Sequence, residues 1–167
     1  SLRFFNPETG TYDYITPVKQ NILLHPIDDA GIVILNQREL STIVSDLPPV
    51  FIINKNVGFD EAVTKGFPIA SLDQTSETGE SSLVTLNMRY LQEIPTEHAF
   101  QLSTLDDYNE DSIKGMSGAG IFIEACEELY LNGIFTRFTD EDRGKVIYAQ
   151  KLTSFNELLG NKYKKKM

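Results

Sequence analysis

The chain has 167 residues, a net charge of −9 at pH 7, an apolar fraction of 41% and a single cysteine, Cys126. The apolar fraction is enough for a core, and the length predicts one domain. The negative charge argues against nucleic acid as a partner, and without a run of 18 apolar residues we expect no membrane span and no membrane partner. A lone cysteine cannot form an internal disulfide, which favours a reducing, cytoplasmic compartment.

Short strands separated by turn residues are predicted in the first third of the chain. Leu2–Phe5 and Thr11–Ile15 have strand patterns joined by a turn, and a short buried-strand pattern, Gly31–Leu35, follows Asp28 and Asp29. Gly, Pro and Asn continue to separate short apolar stretches further along the chain. This pattern predicts an all-β barrel.

The segment Gly115–Gly120 carries the strongest chemical signal. It reads Gly-Met-Ser-Gly-Ala-Gly and leads into the apolar stretch Ile121–Ile123. A serine hydroxyl becomes an effective nucleophile on a tight turn whose backbone N–H groups can hold an oxyanion, and flanking glycines permit that geometry. Ser117 is therefore the candidate nucleophile. The alternative is an ordinary Gly/Ser turn between two strands.

Further strands and a closing helix are predicted after the serine. Ser154 and Glu157 have the spacing of a capping box for that helix. The predicted elements are the strands Ile121–Ile123, Leu129–Thr136 and Val146–Ala149 and the helix Leu152–Leu159. A strand rather than a helix thus follows Ser117, and the plausible acids precede it. This order argues against the nucleophile elbow of α/β-hydrolases.

The order of these features resembles the chymotrypsin/trypsin-like serine protease family, and its bacterial members more than its digestive ones. In that family the acid precedes a strand of the form Asp-x-small-apolar-apolar. Asp29 with Gly31 matches this form, and so does Asp28 with Ala30. The family's nucleophile stands in Gly-x-Ser-Gly-small, as Ser117 does. The resemblance extends over most of the chain.

The resemblance implies an all-β fold, a double β-barrel of chymotrypsin/trypsin type whose first barrel is incomplete here, with a C-terminal helix. Residues 58–68 match the family's strand that ends in a Gly-aromatic-Pro turn. We expect the remainder of the first barrel in about residues 1–50, the second barrel and closing helix in about 51–160, and a basic tail in 161–167.

The resemblance also implies the activity and the site. We expect a serine endopeptidase that cleaves peptide bonds through an acyl-enzyme at Ser117, without metal or cofactor. Asp29 is expected to be the carboxylate of the catalytic triad, with Asp28 as the alternative. The backbone N–H groups of Gly115 and Ser117 match the family's oxyanion hole. The resemblance implies that the partner of the enzyme is a protein or peptide substrate.

Four residues match the positions that line the family's substrate pocket. Asp111 precedes Ser117 by six residues and is followed by Ser112, which implies a preference for arginine or lysine before the cut. Thr136 and Phe138 lie where the pocket wall is expected. Phe138 is expected to narrow the entrance.

No histidine in the chain matches the family's general base. His25 is only four residues from Asp29, and His98 lies between the acid and the nucleophile. We therefore expect the histidine on an N-terminal segment preceding this chain, in a larger protein with further domains. The alternative is a catalytically inactive protease-like barrel that binds a peptide or protein.

Met116 departs from the digestive members of the family. They carry an aspartate there, which pairs with a newly freed N-terminal amine. A methionine cannot form that ion pair, so activation is expected not to depend on a freed N-terminus.

Overall fold

The computed structural model describes residues 2–6, 9, 11–36, 38, 50–53, 59–66, 68, 84–108, 113–125, 127–141 and 144–164. The chain divides into two compact units. The first comprises residues 1–49 together with 155–167, and the second comprises residues 50–154.

The strands of the first unit form two antiparallel hairpins. β1 (Leu2–Asn6) pairs with β2 (Thr11–Ile15), which confirms the predicted N-terminal hairpin. β3 (Ile22–Leu24) pairs with β4 (Gly31–Val33) and follows a single 3-10 turn, Lys19–Asn21. The second hairpin closes through a hydrogen bond from the His25 N–H to the Ala30 carbonyl, at 2.9 Å.

The second unit is built on a closed antiparallel barrel of six strands. Neighbouring strands around it follow the order β6-β7-β8-β11-β10-β9, and β9 pairs back with β6. The short strand β5 adds to β10 in parallel, outside the ring. The strands are β5 (Phe51–Ile52), β6 (Glu61–Gly66), β7 (Val84–Ile94), β8 (Ala99–Thr104), β9 (Gly120–Ala125), β10 (Glu128–Glu141) and β11 (Gly144–Lys151). A one-turn 3-10 helix, Pro95–Glu97, connects β7 to β8.

Alternating residues of the barrel strands point into one apolar core, as a period of two requires. Leu86, Met88, Leu102, Ile121 and Ile147 are fully buried in it. Thr64 is also fully buried, and its hydroxyl donates to the Gly120 carbonyl at 2.7 Å, so its polar atom is satisfied. The prediction of a mostly β fold with a barrel is confirmed.

The predicted closing helix is present as α1 (Leu152–Lys164). It continues past Leu159 into the segment expected to be a basic tail. The capping box is wrong. Ser154 lies inside the first turn, where its hydroxyl accepts from Gln150 Nε2 at 2.9 Å, and the Glu157 carboxylate lies 3.3 Å from His25 Nε2. Because β11 runs directly into the helix, the helix begins before the serine that was expected to cap it.

Within the described residues, no helix has the length and apolar character needed to cross a membrane.

Candidate active site

Ser117 lies on a double turn that leads into β9. The Met116 N–H donates to the Ile113 carbonyl at 3.1 Å, and the Ala119 N–H donates to the Met116 carbonyl at 3.0 Å. Gly115 and Gly118 have φ angles of 96° and 95°, a region that side-chain-bearing residues rarely adopt. The glycines on either side of the serine are therefore required by the backbone path.

The turn is fixed to the barrel wall by β10. The Gly118 N–H donates to the Phe135 carbonyl at 2.8 Å, and the Phe135 N–H donates to the Ala119 carbonyl at 2.8 Å. On the other side, the Thr64 hydroxyl binds the carbonyl of Gly120, the first residue of β9. The backbone around Ser117 is thus held by hydrogen bonds from both neighbouring strands.

The two N–H groups expected to form an oxyanion hole have no acceptor within the described part of the chain. Gly115 and Ser117 are both exposed, and neither N–H donates to a described carbonyl or side chain. The Ser117 hydroxyl likewise has no hydrogen-bond partner among the residues described. Free backbone N–H groups beside an exposed hydroxyl could bind an anionic oxygen.

The two candidate acids differ in exposure. Asp29 is exposed, whereas the Asp28 side chain is only 4% exposed and its carboxylate lies 3.4 Å from His25 Nδ1. Both acids belong to the first unit, and Ser117 belongs to the second. Of the two, Asp28 has the burial that a triad carboxylate requires.

His25 is enclosed by its own hairpin loop and by α1. Its Nδ1 accepts from the Asp28 N–H at 2.9 Å, so the proton of the neutral ring lies on Nε2 and faces the Glu157 carboxylate at 3.3 Å. The side chain is 8% exposed. Both ring nitrogens are therefore engaged within the first unit.

His98 ends the 3-10 turn between β7 and β8 in a left-handed conformation, with a φ of 48°. It is exposed, and its carbonyl accepts from the Lys151 N–H at 2.9 Å and from Gln150 Nε2 at 3.0 Å. Both contacts are made by the backbone carbonyl of His98 and tie the turn to β11.

Two of the four predicted pocket residues are described. Thr136 is half-buried and its hydroxyl donates to the Tyr148 carbonyl at 3.0 Å, while Phe138 packs against the barrel core. The other two, Asp111 and Ser112, lie outside the described residues, as does Cys126. Arg137 lies between Thr136 and Phe138 in the sequence. Its guanidinium carbon is 4.1 Å from the ring centroid of Tyr148.

The buried residues beneath the serine turn were not predicted from the sequence. Ile113 and Met116 are 1% and 2% exposed, and Gly66 at the end of β6 faces Met116. A Cβ added at Gly66 would lie 3.0 Å from the Met116 Cε. The only signal in the sequence is Gly-Phe-Pro at the end of that strand, which predicts a turn.

A groove of about 790 Å³ lies at the other end of β9 from Ser117. It has an apolar floor that includes Phe59, Met88 and Phe122, and acidic side chains on its rim, and no lysine, arginine or histidine is among its described lining residues. The acidic residues are Asp60, Glu61, Asp106 and Glu124. None of the residues 113–119 of the serine turn is among the described lining residues, so the groove is not part of the candidate active site.

Within the described ranges, no group of three or more His, Cys, Asp or Glu side chains is placed to hold a metal ion. Comparison of the chain with protein-family models and with curated proteins gave no match. The functional assignment therefore depends on the geometry of the turn and on the resemblance of its sequence motifs.

Proposed function

We propose that this chain belongs to a serine endopeptidase of the double-barrel chymotrypsin type, in which Ser117 is the nucleophile. The observation that carries the proposal is the exposed serine on a glycine-flanked turn, where the N–H groups of Gly115 and of Ser117 itself have no acceptor among the described residues.

The proposed reaction follows the acyl-enzyme route. Ser117 Oγ attacks the scissile carbonyl carbon while its proton passes to a general base, and the resulting oxyanion accepts hydrogen bonds from the two free N–H groups. The C–N bond then breaks, and the amine leaves with the proton that the base returns. Water hydrolyses the ester by the same steps, with the base activating the water. No metal or cofactor takes part.

The general base is proposed to be a histidine other than His25 and His98. The engagement of both His25 ring nitrogens supports this assignment. The low exposure of the Asp28 side chain favours it over Asp29 as the triad carboxylate.

Labelling of the full protein with a fluorophosphonate probe tests this function. We expect the probe to modify Ser117 and no other residue, because labelling requires both an activated hydroxyl and an oxyanion site. Ser117→Ala should abolish labelling and peptide hydrolysis, whereas Ser103→Ala, at a half-buried serine of β8, should leave both unchanged. A folded full protein that is not labelled would contradict the proposal and favour the inactive, peptide-binding alternative.

Cleavage after arginine or lysine is the proposed specificity. Asp111 would pair with the basic side chain in the pocket. Arg137, the nearest cation in sequence to the predicted pocket wall, has its own acidic neighbour, because its Nη2 lies 3.3 Å from Glu97 Oε2.

A peptide library cleaved by the full protein measures this preference. Asp111→Ala should remove the preference for basic residues, whereas Asp107→Ala, at an exposed aspartate nearby in the chain, should keep it. A preference for apolar or acidic residues that is the same in Asp111→Ala would contradict the assignment.

A further inference from the structure

The turn that carries Ser117 has two faces of opposite character. Gly115, Ser117 and Gly118 are exposed, whereas Ile113 and Met116 belong to the barrel core at 1% and 2% exposure. Because the Met116 side chain is held in the core while Ser117 is exposed, the position of that side chain fixes the direction of the backbone between the two residues. The orientation of the Ser117 N–H therefore depends on where the Met116 side chain is held.

Met116 is held in a space that a glycine leaves open. A Cβ at Gly66 would lie 3.0 Å from Met116 Cε, 3.4 Å from its Cγ and 3.5 Å from the Ala119 Cβ. The first of these distances is too short for an undisturbed contact. Gly66, the last residue of β6, thus leaves space for the Met116 side chain. β6 pairs with β9, the strand that begins after the serine turn.

We propose that Met116 and Gly66 are positioning residues whose apolar packing keeps the N–H groups of Gly115 and Ser117 preformed for an oxyanion. The inference rests on the proposed function and specifies how that same site is kept assembled. Both backbone hydrogen bonds of the double turn involve Met116, through its N–H and its carbonyl. A displaced Met116 would disturb them together, and the N–H of Ser117 with them.

The packing also explains how the turn holds its shape without an ion pair. The side chain of Met116 cannot carry a charge, and its described neighbours Gly66, Ala119 and Ile113 carry none. Assembly of the site should therefore not require the creation or protonation of a charged group at this position.

Matched truncations separate positioning from general stability. Met116→Ala should slow fluorophosphonate labelling of Ser117 in the full protein by about 100-fold, the effect expected when an oxyanion donor is lost. Met88→Ala is the control, because Met88 is fully buried in the same core but lies on β7, away from the turn. Met88→Ala should lower the unfolding temperature about as much as Met116→Ala does. It should change the labelling rate by about threefold or less, since it leaves the turn intact. Met116→Leu, which conserves volume, should restore most of the rate.

Gly66→Ala should act on the same contact from the opposite side. We expect it to slow labelling, and we expect the double variant Gly66→Ala/Met116→Ala to be no slower than Met116→Ala, because the alanine at 116 removes the atoms that the new Cβ would meet. Independent, additive effects of the two substitutions would contradict the proposal.

Amide hydrogen exchange tests the inference even if the enzyme assignment fails. At equal global stability, the amides of Met116 and Ala119 should exchange at least about tenfold faster in Met116→Ala than in Met88→Ala, because their hydrogen bonds belong to the turn. An unlabelled wild-type protein with this exchange difference would overturn the proposed function and keep the positioning role. Wild-type labelling together with wild-type exchange in Met116→Ala would overturn the positioning role.

Discussion

Tyr90 shows how the barrel changes the chemistry of a single side chain. Its ring packs edge-on against Phe59, with centroids 5.1 Å apart, and lies 6.3 Å from the ring centroid of Phe100. Burial raises the pKa of the Tyr90 hydroxyl, and the negative charge of Glu93 raises it further. The folded protein therefore holds this proton more tightly than the unfolded chain does.

This raised pKa predicts a loss of stability at alkaline pH. Below about pH 10 the tyrosine is neutral in both states, and above it the unfolded state ionises first, so the free energy of unfolding falls as the pH rises through the folded pKa. Urea denaturation between pH 8.5 and 11 should show a smaller fall in Tyr90→Phe than in the wild type. Glu93→Gln should lie between them. Identical curves for wild type and Tyr90→Phe would contradict the prediction.

At the scale of elements, the junction between β11 and α1 is organised by one buried amide. The side chain of Gln150, in a residue that is 4% exposed, points its Nε2 at three acceptors: the carbonyls of Glu97 and His98, at 3.2 and 3.0 Å, and the hydroxyl of Ser154, at 2.9 Å. The amide thus ties the last strand and the helix to the turn between β7 and β8.

Replacing that amide by a carboxyl group should be costly. Gln150→Glu would place an ionised oxygen against two carbonyls, and we expect a loss of about 3 kcal/mol in the free energy of unfolding at pH 7. The loss should shrink as the pH falls toward 4, because a neutral carboxyl can donate one hydrogen bond.

The same substitution at an exposed site is the control for this prediction. Gln92 is exposed and its Nε2 donates to Gln101 Oε1 at 2.6 Å. Gln92→Glu should cost about 0.5 kcal/mol or less in chemical denaturation. Equal losses at the two positions would show that the junction does not depend on the buried amide.

The junction also shows why local sequence patterns predicted some elements and not others. The apolar pattern of Leu152–Leu159 predicted the helix correctly, because burial of one helix face is encoded in consecutive residues. The capping box failed because the helix begins at Leu152, two residues before Ser154, whose hydroxyl accepts from Gln150 Nε2 four residues earlier in the chain. The Glu157 carboxylate instead faces His25, a partner distant in sequence, and such a long-range contact leaves no signal in the spacing of two residues.

At the scale of the whole molecule, short apolar stretches separated by Gly, Pro and Asn were enough to predict a β-barrel. It could not give the strand order, because β6 pairs with β9, and β8 with β11, across intervening strands. The predicted double-barrel architecture stays a proposal. The serine turn was predicted from its glycines, whereas the apolar layer of Ile113, Met116 and Gly66 depends on side chains distant in the chain.

The strand pairings around the barrel differ in length. β6 is paired with β7 along its whole length, from Glu61 to Gly66, whereas its described pairing with β9 comprises Val63 with Phe122 and Thr64 with Ile121. Segments with few backbone hydrogen bonds open locally at a lower free-energy cost than the rest of a folded protein. Because the double turn leads directly into β9, Ser117 lies beside the shortest pairing among the described barrel strands. We expect the amides of this pairing to exchange with solvent before those of the longer pairings around the barrel.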